Sequence, residues 1–443
     1  MSILMLIYIL NYIDRNNASA ARLRGFEEDL RLEGSQFANV LSILYIGYIL
    51  MQIPSNMFLN YFGKPSKYLP YCMIVWGGLS VCTGFATGYI GVLSIRFFLG
   101  FVEAAFFPGA LFLLSKWYKR NELSQRTAFL SIGILLSNAF GSLIASGILD
   151  IMDGVLGFSA WRWLFFVEGM TTILVAFLSM FILPDFPENS SNWLSPSEKA
   201  VALERMAEDI GHEEDRTLTD GMESKELHVW WHGLRLAIGD WKVWWLAATL
   251  TCMTISLSFN AYFPTLSATM GYGPNITLLL CVPPWLFATG VALAISWHSD
   301  QTEERFRHIS LSLSIVIVGF VLALSTMNTV VRYLSLFLMA QSYAGFICFL
   351  AWASGSVSHP PAKRPVALAL INCISQFGNV MGSYVWPSSW GPTYNTSYSI
   401  CIFMAVLSMA MCLVFRCHLA WLNHKSEKLE AEFGLGKRYR YTL

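Results

Sequence analysis

Residues 5–22, MLIYILNYIDRNNASAAR, begin as an apolar helix and then place an acid beside a base at Asp14 and Arg15. The residues before Asp14 have the composition of a membrane-spanning helix, and neither Gly nor Pro follows to end it. The residues after Arg15 are small or polar, which suits close packing between helices in a membrane. The stretch therefore predicts a first transmembrane helix that carries two opposite charges.

The composition of the whole chain is that of an integral membrane protein. Of the 443 residues, 55% are hydrophobic and only 13% are charged, which lies far outside the usual balance of soluble domains. Lys plus Arg equals Asp plus Glu at 29 each, so bulk charge does not indicate a nucleic-acid partner. The nine cysteines fall in apolar runs without a CxxC pair, which indicates packing residues and no disulfide framework.

Twelve segments are apolar enough to cross a bilayer as helices, which takes about 20 residues each. Six precede a polar stretch and six follow it. We therefore predict an all-α membrane protein with two pseudo-symmetric six-helix bundles at 1–184 and 241–421, a cytosolic linker at 185–240 and a cytosolic tail at 422–443. The predicted spans are 2–25, 35–62, 68–87, 89–115, 124–149, 162–184, 241–263, 276–298, 309–327, 331–354, 364–387 and 398–421.

The distribution of basic residues predicts the orientation of these spans, because short cytosolic loops carry an excess of Lys and Arg. Such residues follow spans two, four, eight and ten, whereas the loops after spans three, seven and eleven carry none. Both termini are therefore expected in the cytosol, and the plasma membrane is the default location. Glycosylation sequons at Asn275 and Asn395 then lie outside, and those at Asn17 and Asn189 do not.

The N-terminal apolar run lacks the basic flank and small-residue cleavage site of a signal peptide, so the first helix is expected to stay in the mature chain. Because the first span begins almost at Met1, we expect either a truncated chain or a start at a late methionine.

In the linker, Ser195, Pro196 and Glu198 have the spacing of a helix start in which serine and glutamate cap each other. The linker therefore predicts a surface helix.

Few charges remain within the spans, where each costs about 2.5 to 3.5 kcal/mol on insertion scales. Asp14 and Arg15 lie in span one, Glu103 in span four and Glu168 in span six. One explanation is structural: the pair in span one is solvated at the outer end of a shorter helix, and Glu103 only pairs with an arginine. For Glu168 a structural role is favoured.

The other explanation is functional. Neighbouring residues point about 100° apart on a helix, so Asp14 and Arg15 need different partners. A buried carboxyl group, at Asp14 or Glu103, can load and release a proton near physiological pH. Arg15 stays cationic and can accept a planar carboxylate through two hydrogen bonds.

Polar stripes at helical spacing follow three other spans. They can line a substrate pathway, or they can equally be hydrogen bonds that hold helices together. The stripes are Tyr45, Tyr48, Gln52 and Asn56 in span two, Asn260 and Tyr262 in span seven, and Asn372, Gln376 and Asn379 in span eleven.

Several stretches resemble the fungal allantoate and nicotinate permease branch of the anion:cation symporters, within the major facilitator superfamily. The resemblance runs through nearly the whole chain, and its most specific parts are the Asp-Arg pair of span one and the RFxLGxxEAxFFPG pattern of span four. The stretches are NYIDRNNASAAR (11–22), GYILMQIPSN (47–56), RFFLGFVEAAFFPGALFLLSKWY (96–118), WRWLFFVEG (161–169), LPDFPEN (183–189) and PPAKRPVALALINCISQFGNVMGSYVWP (360–387).

The resemblance implies roles for the matching residues. Asp14 and Glu103 become the proton-coupling carboxylates, Arg15 the substrate-carboxylate anchor, and Arg96 an arginine that supports the coupling site. The resemblance also implies two cytosolic gating loops. The first holds Gly63, Lys64 and Lys67 but lacks the acidic member of the family motif, and the second holds Ser299, Asp300, Arg305 and Arg307.

Taken together, these patterns predict a monomeric transporter for proton-coupled uptake of a small organic anion, such as a nicotinate-, allantoate- or pantothenate-like carboxylate, by alternating access. Substrate-binding candidates are Arg15, Tyr45, Gln52, Asn260, Asn372 and Gln376. The alternatives are a drug or metabolite efflux antiporter and a nutrient receptor without flux. No cofactor or metal is predicted, and the absence of HExxH, GxSxG and P-loop spacings argues against an enzyme.

Overall fold

The computed structural model describes residues 1–187, 194–210, 233–357, 363–433 and 440–442. Every regular element in these ranges is helical. In chain order the helices are α1 (Ser2–Ala21), α2 (Phe26–Asp29), α3 (Gln36–Phe62), α4 (Pro65–Gly84), α5 (Tyr89–Glu103), α6 (Phe106–Trp117), α7 (Arg120–Ile151), α8 (Ala160–Ile182), α9 (Pro196–Ile210), α10 (233–239), α11 (Trp241–Ser256), α12 (Phe263–Ala268), α13 (Pro274–Thr302), α14 (Phe306–Ser325), α15 (Thr329–Ala340), α16 (Ser342–Ser356), α17 (Lys363–Gly382) and α18 (Asn395–Phe433).

Each predicted span is occupied by one helix or by consecutive helices, so the predicted fold class is confirmed. Within the described ranges, nine helical segments are long and apolar enough to cross a membrane, and a shorter apolar helix covers Val366–Gly382. Helices α1 and α4 occupy the other two spans. The asparagines and the charged pair of α1 lower its mean hydropathy, so α1 is less apolar than the nine segments that are apolar enough to cross a membrane.

Spans four, seven and ten each consist of two helices, and the break in span four has a clear cause. Helix α5 ends at Glu103 and α6 begins at Phe106. Pro108 lies in the first turn of α6 and has no N–H to donate to the carbonyl of Ala104, and its ring crowds that carbonyl. The break therefore places the carboxyl group of Glu103 at the end of a helix in the middle of the span.

Contacts between Cα atoms divide the described residues into two compact units. The first is formed by the described parts of Met1–Leu227 together with Ala261–Val282, and the second by the described parts of His228–Asn260 and Pro283–Leu443. In the first unit, α4 packs along α8, α3 along α5 and α1 along α7. In the second, α11 packs along α17, and α14 packs along α18. The pairings of spans one with five and three with six thus recur as seven with eleven and nine with twelve.

Glycines allow α3 and α5 to approach until their backbones touch. A Cβ atom added to Gly100 would lie 1.9 Å from the carbonyl oxygen of Leu44, and one added to Gly47 would lie 2.2 Å from that of Phe97. Backbone atoms cannot move aside as a flexible side chain can. This contact fixes α5, and with it Glu103, against α3.

The Gly100→Ala substitution is therefore expected to destabilise the protein, by at least the 1–3 kcal/mol or so that overpacking typically costs. The measurement is the thermal unfolding temperature of the purified protein in detergent. Gly91→Ala is the matched control, because Gly91 lies on the same helix and nothing lies within 4 Å of its added Cβ. Equal unfolding temperatures for the two variants would contradict the close approach.

Helix α9 begins as the serine-to-glutamate spacing predicts. The backbone N–H of Glu198 donates to the hydroxyl oxygen of Ser195 at 3.3 Å, and the backbone N–H of Ser195 donates to the Glu198 carboxylate at 2.9 Å. The Ser195 hydroxyl donates to the same carboxylate at 2.8 Å. Because these bonds favour the ionised form, the pKa of the Glu198 carboxyl lies below its usual value.

Candidate functional site

Helix α1 continues without a break past the charged pair and ends at Ala21. Asp14 is 1% exposed and Arg15 is 8% exposed. Both side chains are buried, so the structure contradicts the alternative explanation, in which the pair is solvated at the outer end of a shorter helix. The helix that the sequence predicts therefore does bury two opposite charges inside the first unit.

Arg15 forms an ion pair with the acid of span four. Its Nε lies 2.9 Å from Oε2 of Glu103, whose side chain is fully buried. The guanidinium also lies 4.9 Å from the ring centroids of both Tyr12 and Tyr48, and its Nη2 donates to the side chain of Asn11 at 3.4 Å. The other Glu103 oxygen, Oε1, is buried without a hydrogen-bond donor among the described residues. Arg15 is thus held by one carboxylate and two aromatic faces.

Asp14 points to different partners, as the angle between helix neighbours predicts. The Ser80 hydroxyl donates to Oδ1 at 2.9 Å, and the Thr172 hydroxyl donates to Oδ2 at 3.1 Å. Within the described residues, no basic side chain forms an ion pair with Asp14. Two hydroxyl donors stabilise the ionised carboxyl less than a guanidinium would, so this site suits a group that gains and loses a proton.

Arg96 does not pair with either carboxyl group. It is 1% exposed, and its Nη1 donates to the backbone carbonyls of Asp14 and Arg15 at 3.3 and 3.4 Å. Its Nε and Nη2 are buried without a partner among the described residues. A buried guanidinium with unused donors is costly unless an anion or water meets it. Arg96 is therefore a second buried cationic group, with two donors unused among the described residues.

The two arginines line one small cavity within the first unit. Its volume is ≈ 10 Å³, which is roughly the space that one water molecule needs. A carboxylate substrate does not fit in this cavity. The lining residues are Arg15, Asn16, Ser19, Val40, Leu41, Leu44, Tyr45, Arg96 and Ala261.

The polar stripe of α3 reaches this site in part. Tyr45 lines the cavity, and Tyr48 covers Arg15. Gln52 lies one turn beyond Tyr48 and is 2% exposed, yet both of its amide atoms lack a partner among the described residues. The side chain of Asn56 lies outside the described set. The stripe thus places Tyr45 and Tyr48 at Arg15, and one turn away the amide of Gln52, which has no hydrogen-bond partner among the described residues.

The predicted polar residues of span eleven and Asn260 of span seven belong to the second unit, whereas Tyr262 of span seven belongs to the first. On α17, the Gln376 amide donates to Asn372 at 3.4 Å and the Asn379 amide donates to Gln376 at 2.8 Å. These three side chains therefore share a face, as their spacing predicts. Asn260 is half-buried in the 3-10 turn Leu257–Tyr262 that follows α11. Their roles in substrate binding stay predictions.

The first predicted gating loop is a tight helix-to-helix turn. Gly63 ends α3 with φ at 60° and donates its N–H to the Leu59 carbonyl at 3.0 Å, a left-handed conformation that favours glycine. Lys64 and Lys67 are exposed. An Asp185 carboxylate oxygen accepts from the backbone N–H of Ser66 at 3.1 Å. An acid from the end of span six therefore caps α4, in a loop whose own acidic member is missing.

The second predicted gating loop is held by its own ion pair. Arg305 donates from Nη2 to Asp300 at 2.5 Å and from Nη1 to the Ser299 hydroxyl at 3.1 Å. Arg307 lies 3.7 Å from Glu304. The loop is thus ordered by charges at the predicted positions, and its role in gating stays a prediction.

The two predicted glycosylation sites differ in accessibility. Asn395 begins α18 and is exposed. Asn275 uses its side-chain oxygen to accept from Arg24 at 3.0 Å and its amide nitrogen to donate to Asp150. The sequon at Asn189 lies outside the described residues. Attachment of a glycan at Asn275 would have to break these side-chain bonds, whereas Asn395 offers an open side chain.

Sequence reasoning missed the group of hydroxyl and amide side chains that surround Asp14. Neither Ser80 nor Thr172 was among the predicted residues, and the structural role expected for Glu168 stays a prediction. Asn17 donates from its amide to Glu168. The available signal was spacing: Asp14 and Asn17 are one turn apart on α1, as Glu168 and Thr172 are on α8.

Comparisons with known proteins agree with this architecture. Residues 4–383 match the family model of the Major Facilitator Superfamily. The MFS-type transporter cnsO of Penicillium expansum is 31% identical over 419 residues, which cover 91% of this chain and 78% of that protein. The MFS transporter prlL of a fungal species is 30% identical over 436 residues, which cover 95% of this chain and 84% of that protein.

Solved structures show the same fold at lower identity. A bacterial homologue of the human lysosomal transporter Spinster, in an inward-facing and occupied conformation, gives a TM-score of 0.69 at 14% identity, with 93% of this chain and 95% of that chain covered. A D-xylose-proton symporter gives a TM-score of 0.66 at 18% identity, with 92% and 96% covered. At these identities the likeness establishes the fold alone.

Proposed function

Because this chain belongs to the Major Facilitator Superfamily, it is a multi-pass secondary transporter and not an enzyme, and we propose that it takes up a small organic anion together with protons. Membership of the family rests on the match over residues 4–383. The anion, the coupling ion and the direction of flux are the proposed part. The charges buried in the first unit support the proposals for the anion and the coupling ion.

The buried ion pair between Arg15 and Glu103 carries the proposal. A guanidinium in a low-dielectric site needs an anionic partner, because a lone buried charge is strongly unfavourable. Ionised Glu103 supplies that partner at 2.9 Å. When Glu103 binds a proton, Arg15 loses its partner and can bind a substrate carboxylate through two hydrogen bonds. Proton binding and anion binding therefore favour each other.

Asp14 and Arg96 extend this scheme. Among the described residues, Asp14 accepts side-chain hydrogen bonds from two hydroxyl groups and forms no ion pair, so it can take a second proton without breaking an ion pair. The unused donors of Arg96 can contact the anion beside Arg15, since both arginines line one cavity. Protonated carboxyl groups and a bound anion together reduce the net charge that must move during alternating access.

The substrate class that we propose is a small carboxylate of the nicotinate, allantoate or pantothenate kind, in keeping with the resemblance to that permease branch. Arginine can bind any of these carboxylates in the same way. We further propose that the transporter acts as a monomer in the plasma membrane with both termini in the cytosol, as the distribution of Lys and Arg predicts.

The experiment that tests this function is uptake of labelled nicotinate, allantoate and pantothenate by cells that express the chain, at two external pH values, with and without an uncoupler. We expect accumulation of at least one acid, greater at the lower pH and lost with the uncoupler. Cells without the chain are the control. Accumulation that persists with the uncoupler would overturn proton coupling. Absent uptake with enhanced export of hydrophobic compounds would favour an efflux antiporter.

Gln52 gives a further prediction, because its amide is buried without a partner among the described residues. Gln52→Leu keeps the approximate size and removes the unpaired amide, so we expect stability that is unchanged or higher. If Gln52 contacts the anion, loss of about 1 kcal/mol of hydrogen bonding raises the apparent KM roughly 5-fold.

The matched control is Gln341→Leu. Gln341 is equally buried, but its amide donates to the Ser312 carbonyl at 3.0 Å, so its replacement should lower stability. Both variants are compared by thermal unfolding and by uptake kinetics. An unchanged KM in Gln52→Leu would remove Gln52 from the substrate site.

A further inference from the structure

Glu168 on α8 is a buried acid without an ionic partner. It is 4% exposed, and no basic side chain of the described residues forms an ion pair with it. Oε2 accepts one hydrogen bond, from the neutral amide of Asn17. Oε1 is buried without any donor among the described residues. A carboxylate with one neutral donor is poorly compensated for the loss of water.

The position of Glu168 ties it to the proton-coupling candidate. Asn17 binds Glu168, and Asp14, one turn earlier on α1, binds Thr172, one turn later on α8. The two helices are thus joined by two successive polar contacts, each containing one acid. Two ionised carboxylates this close disfavour each other.

The numbers of buried acidic and basic side chains in the first unit also disfavour an ionised Glu168. In the first unit, the buried charged side chains of the described residues are Asp14, Arg15, Arg96, Glu103 and Glu168. Three acids therefore face two guanidiniums. Arg15 is paired with Glu103, and Arg96 contacts backbone carbonyls of α1 near Asp14. If all three acids were ionised, the surplus negative charge would fall on Glu168.

Helix α8 has two buried guanidiniums near it among the described residues, but neither forms an ion pair with Glu168. Arg15 of α1 pairs with Glu103 at 2.9 Å, and the Arg96 guanidinium lies 5.5 Å from the ring centroid of Phe165. Helix α8 packs against α1, α4 and α7, with fewer contacts to the 3-10 turn Arg22–Arg24. On α1, the negative charge of ionised Asp14 disfavours ionisation of Glu168. The ionisable side chains of α4 lie in its first two turns or at Cys82, and those of α7 lie in its first two turns or at Asp150. Arg22 is engaged with Glu27 at 3.1 Å.

The backbone around Glu168 is also fixed. A Cβ atom added to the next residue, Gly169, would lie 2.7 Å from the carbonyl oxygen of Gly77 on α4. This close approach leaves no space for α8 to move nearer to α4 beside Glu168.

We propose that Glu168 is a third proton-binding residue of the first unit and that it keeps its proton at neutral pH, so that the buried charges balance when Asp14 and Glu103 are ionised. Glu168 is then a positioning residue. Its neutral side chain holds Asn17 and α1 in place without adding negative charge beside Asp14. This inference rests on the buried cluster and does not require the proposed transport function.

The test is the infrared spectrum of the purified protein at neutral pH, without substrate, in the region of the protonated carboxylic acid C=O stretch. Glu168→Gln is compared with the unchanged protein, and Asp14→Asn and Glu103→Gln are the matched controls. We expect the intensity of one buried carboxylic acid to be lost in Glu168→Gln and retained in both controls. Because glutamine has the shape and charge of protonated glutamate, Glu168→Gln should fold with an unchanged unfolding temperature.

Two results would overturn the proposal. One is an unchanged carboxylic acid band in a folded Glu168→Gln protein, which would mean that Glu168 is ionised. The other is failure of Glu168→Gln to fold while Asp14→Asn folds, which would mean that the negative charge is required. Neither result depends on anion uptake, so the proposal for Glu168 and the proposed function fail separately.

Discussion

Arg15→Ala is expected to abolish binding and uptake of the organic anion. Arg15 is the cation through which we propose the substrate carboxylate is held, and truncating one partner of a buried charged pair typically costs 2–5 kcal/mol or so. A loss of that size corresponds to a decrease in affinity of about 30-fold to several thousand-fold. The substitution also leaves Glu103 without its partner at 2.9 Å, so the carboxyl is expected to stay protonated.

The measurement is binding of the labelled acid to purified protein, together with uptake by cells. Arg15→Lys is the informative companion variant, because lysine keeps the charge but lacks the planar pair of donors, and we expect intermediate affinity. Arg205→Ala is the control: this arginine pairs at the surface with Glu122 at 2.5 Å, where ion pairs contribute little. Normal transport by Arg15→Ala would show that the anchor lies elsewhere.

Glu103→Gln is expected to separate exchange from accumulation. Glutamine cannot bind or release a proton, so Arg15 lacks its carboxylate partner at every pH. The variant should therefore bind the anion with an affinity that depends less on pH, because of the two proposed coupling residues only Asp14 can still bind a proton. Accumulation against a gradient should be lost, whereas exchange of labelled for unlabelled substrate should persist.

The same substitution has a measurable effect on stability. A buried arginine without an anion is costly, by about 3–5 kcal/mol when one member of a pair is removed. We therefore expect Glu103→Gln to unfold at a lower temperature and to be stabilised more by the bound anion than the unchanged protein. The measurements are counterflow in proteoliposomes and thermal unfolding with and without the acid. Full accumulation by Glu103→Gln would refute the coupling role of Glu103.

Hydropathy and charge were enough to predict the spans. The twelve apolar segments are explicit in the sequence, and the continuity of α1 past Arg15 follows from the absence of Gly and Pro. The partners of Asp14 were less accessible, because hydroxyl groups such as Ser80 and Thr172 are common on apolar helices and only the packing of α4 against α8 brings them to one carboxyl group.

Two other features depend on packing that no local pattern encodes. The sequence shows Gly47 and Gly100, but only the fold reveals that each faces a backbone carbonyl of the other helix. The sequence likewise shows Glu168 in an apolar helix. Only the packing of α1 against α8 shows that Glu168 has no basic partner among the described residues. The spacing of Asn372, Gln376 and Asn379 predicted their common face, since such spacing is a property of one helix.

The most direct test of proton coupling is proton uptake by the purified protein, in a weakly buffered solution, when the transported acid is added at a pH where Glu103 is ionised. We expect that binding of the anion displaces Glu103 from Arg15 and that about one proton is taken up from solution per bound anion. Glu103→Gln should bind the anion without this proton uptake. Binding of the anion without proton uptake by the unchanged protein would contradict proton coupling through Glu103.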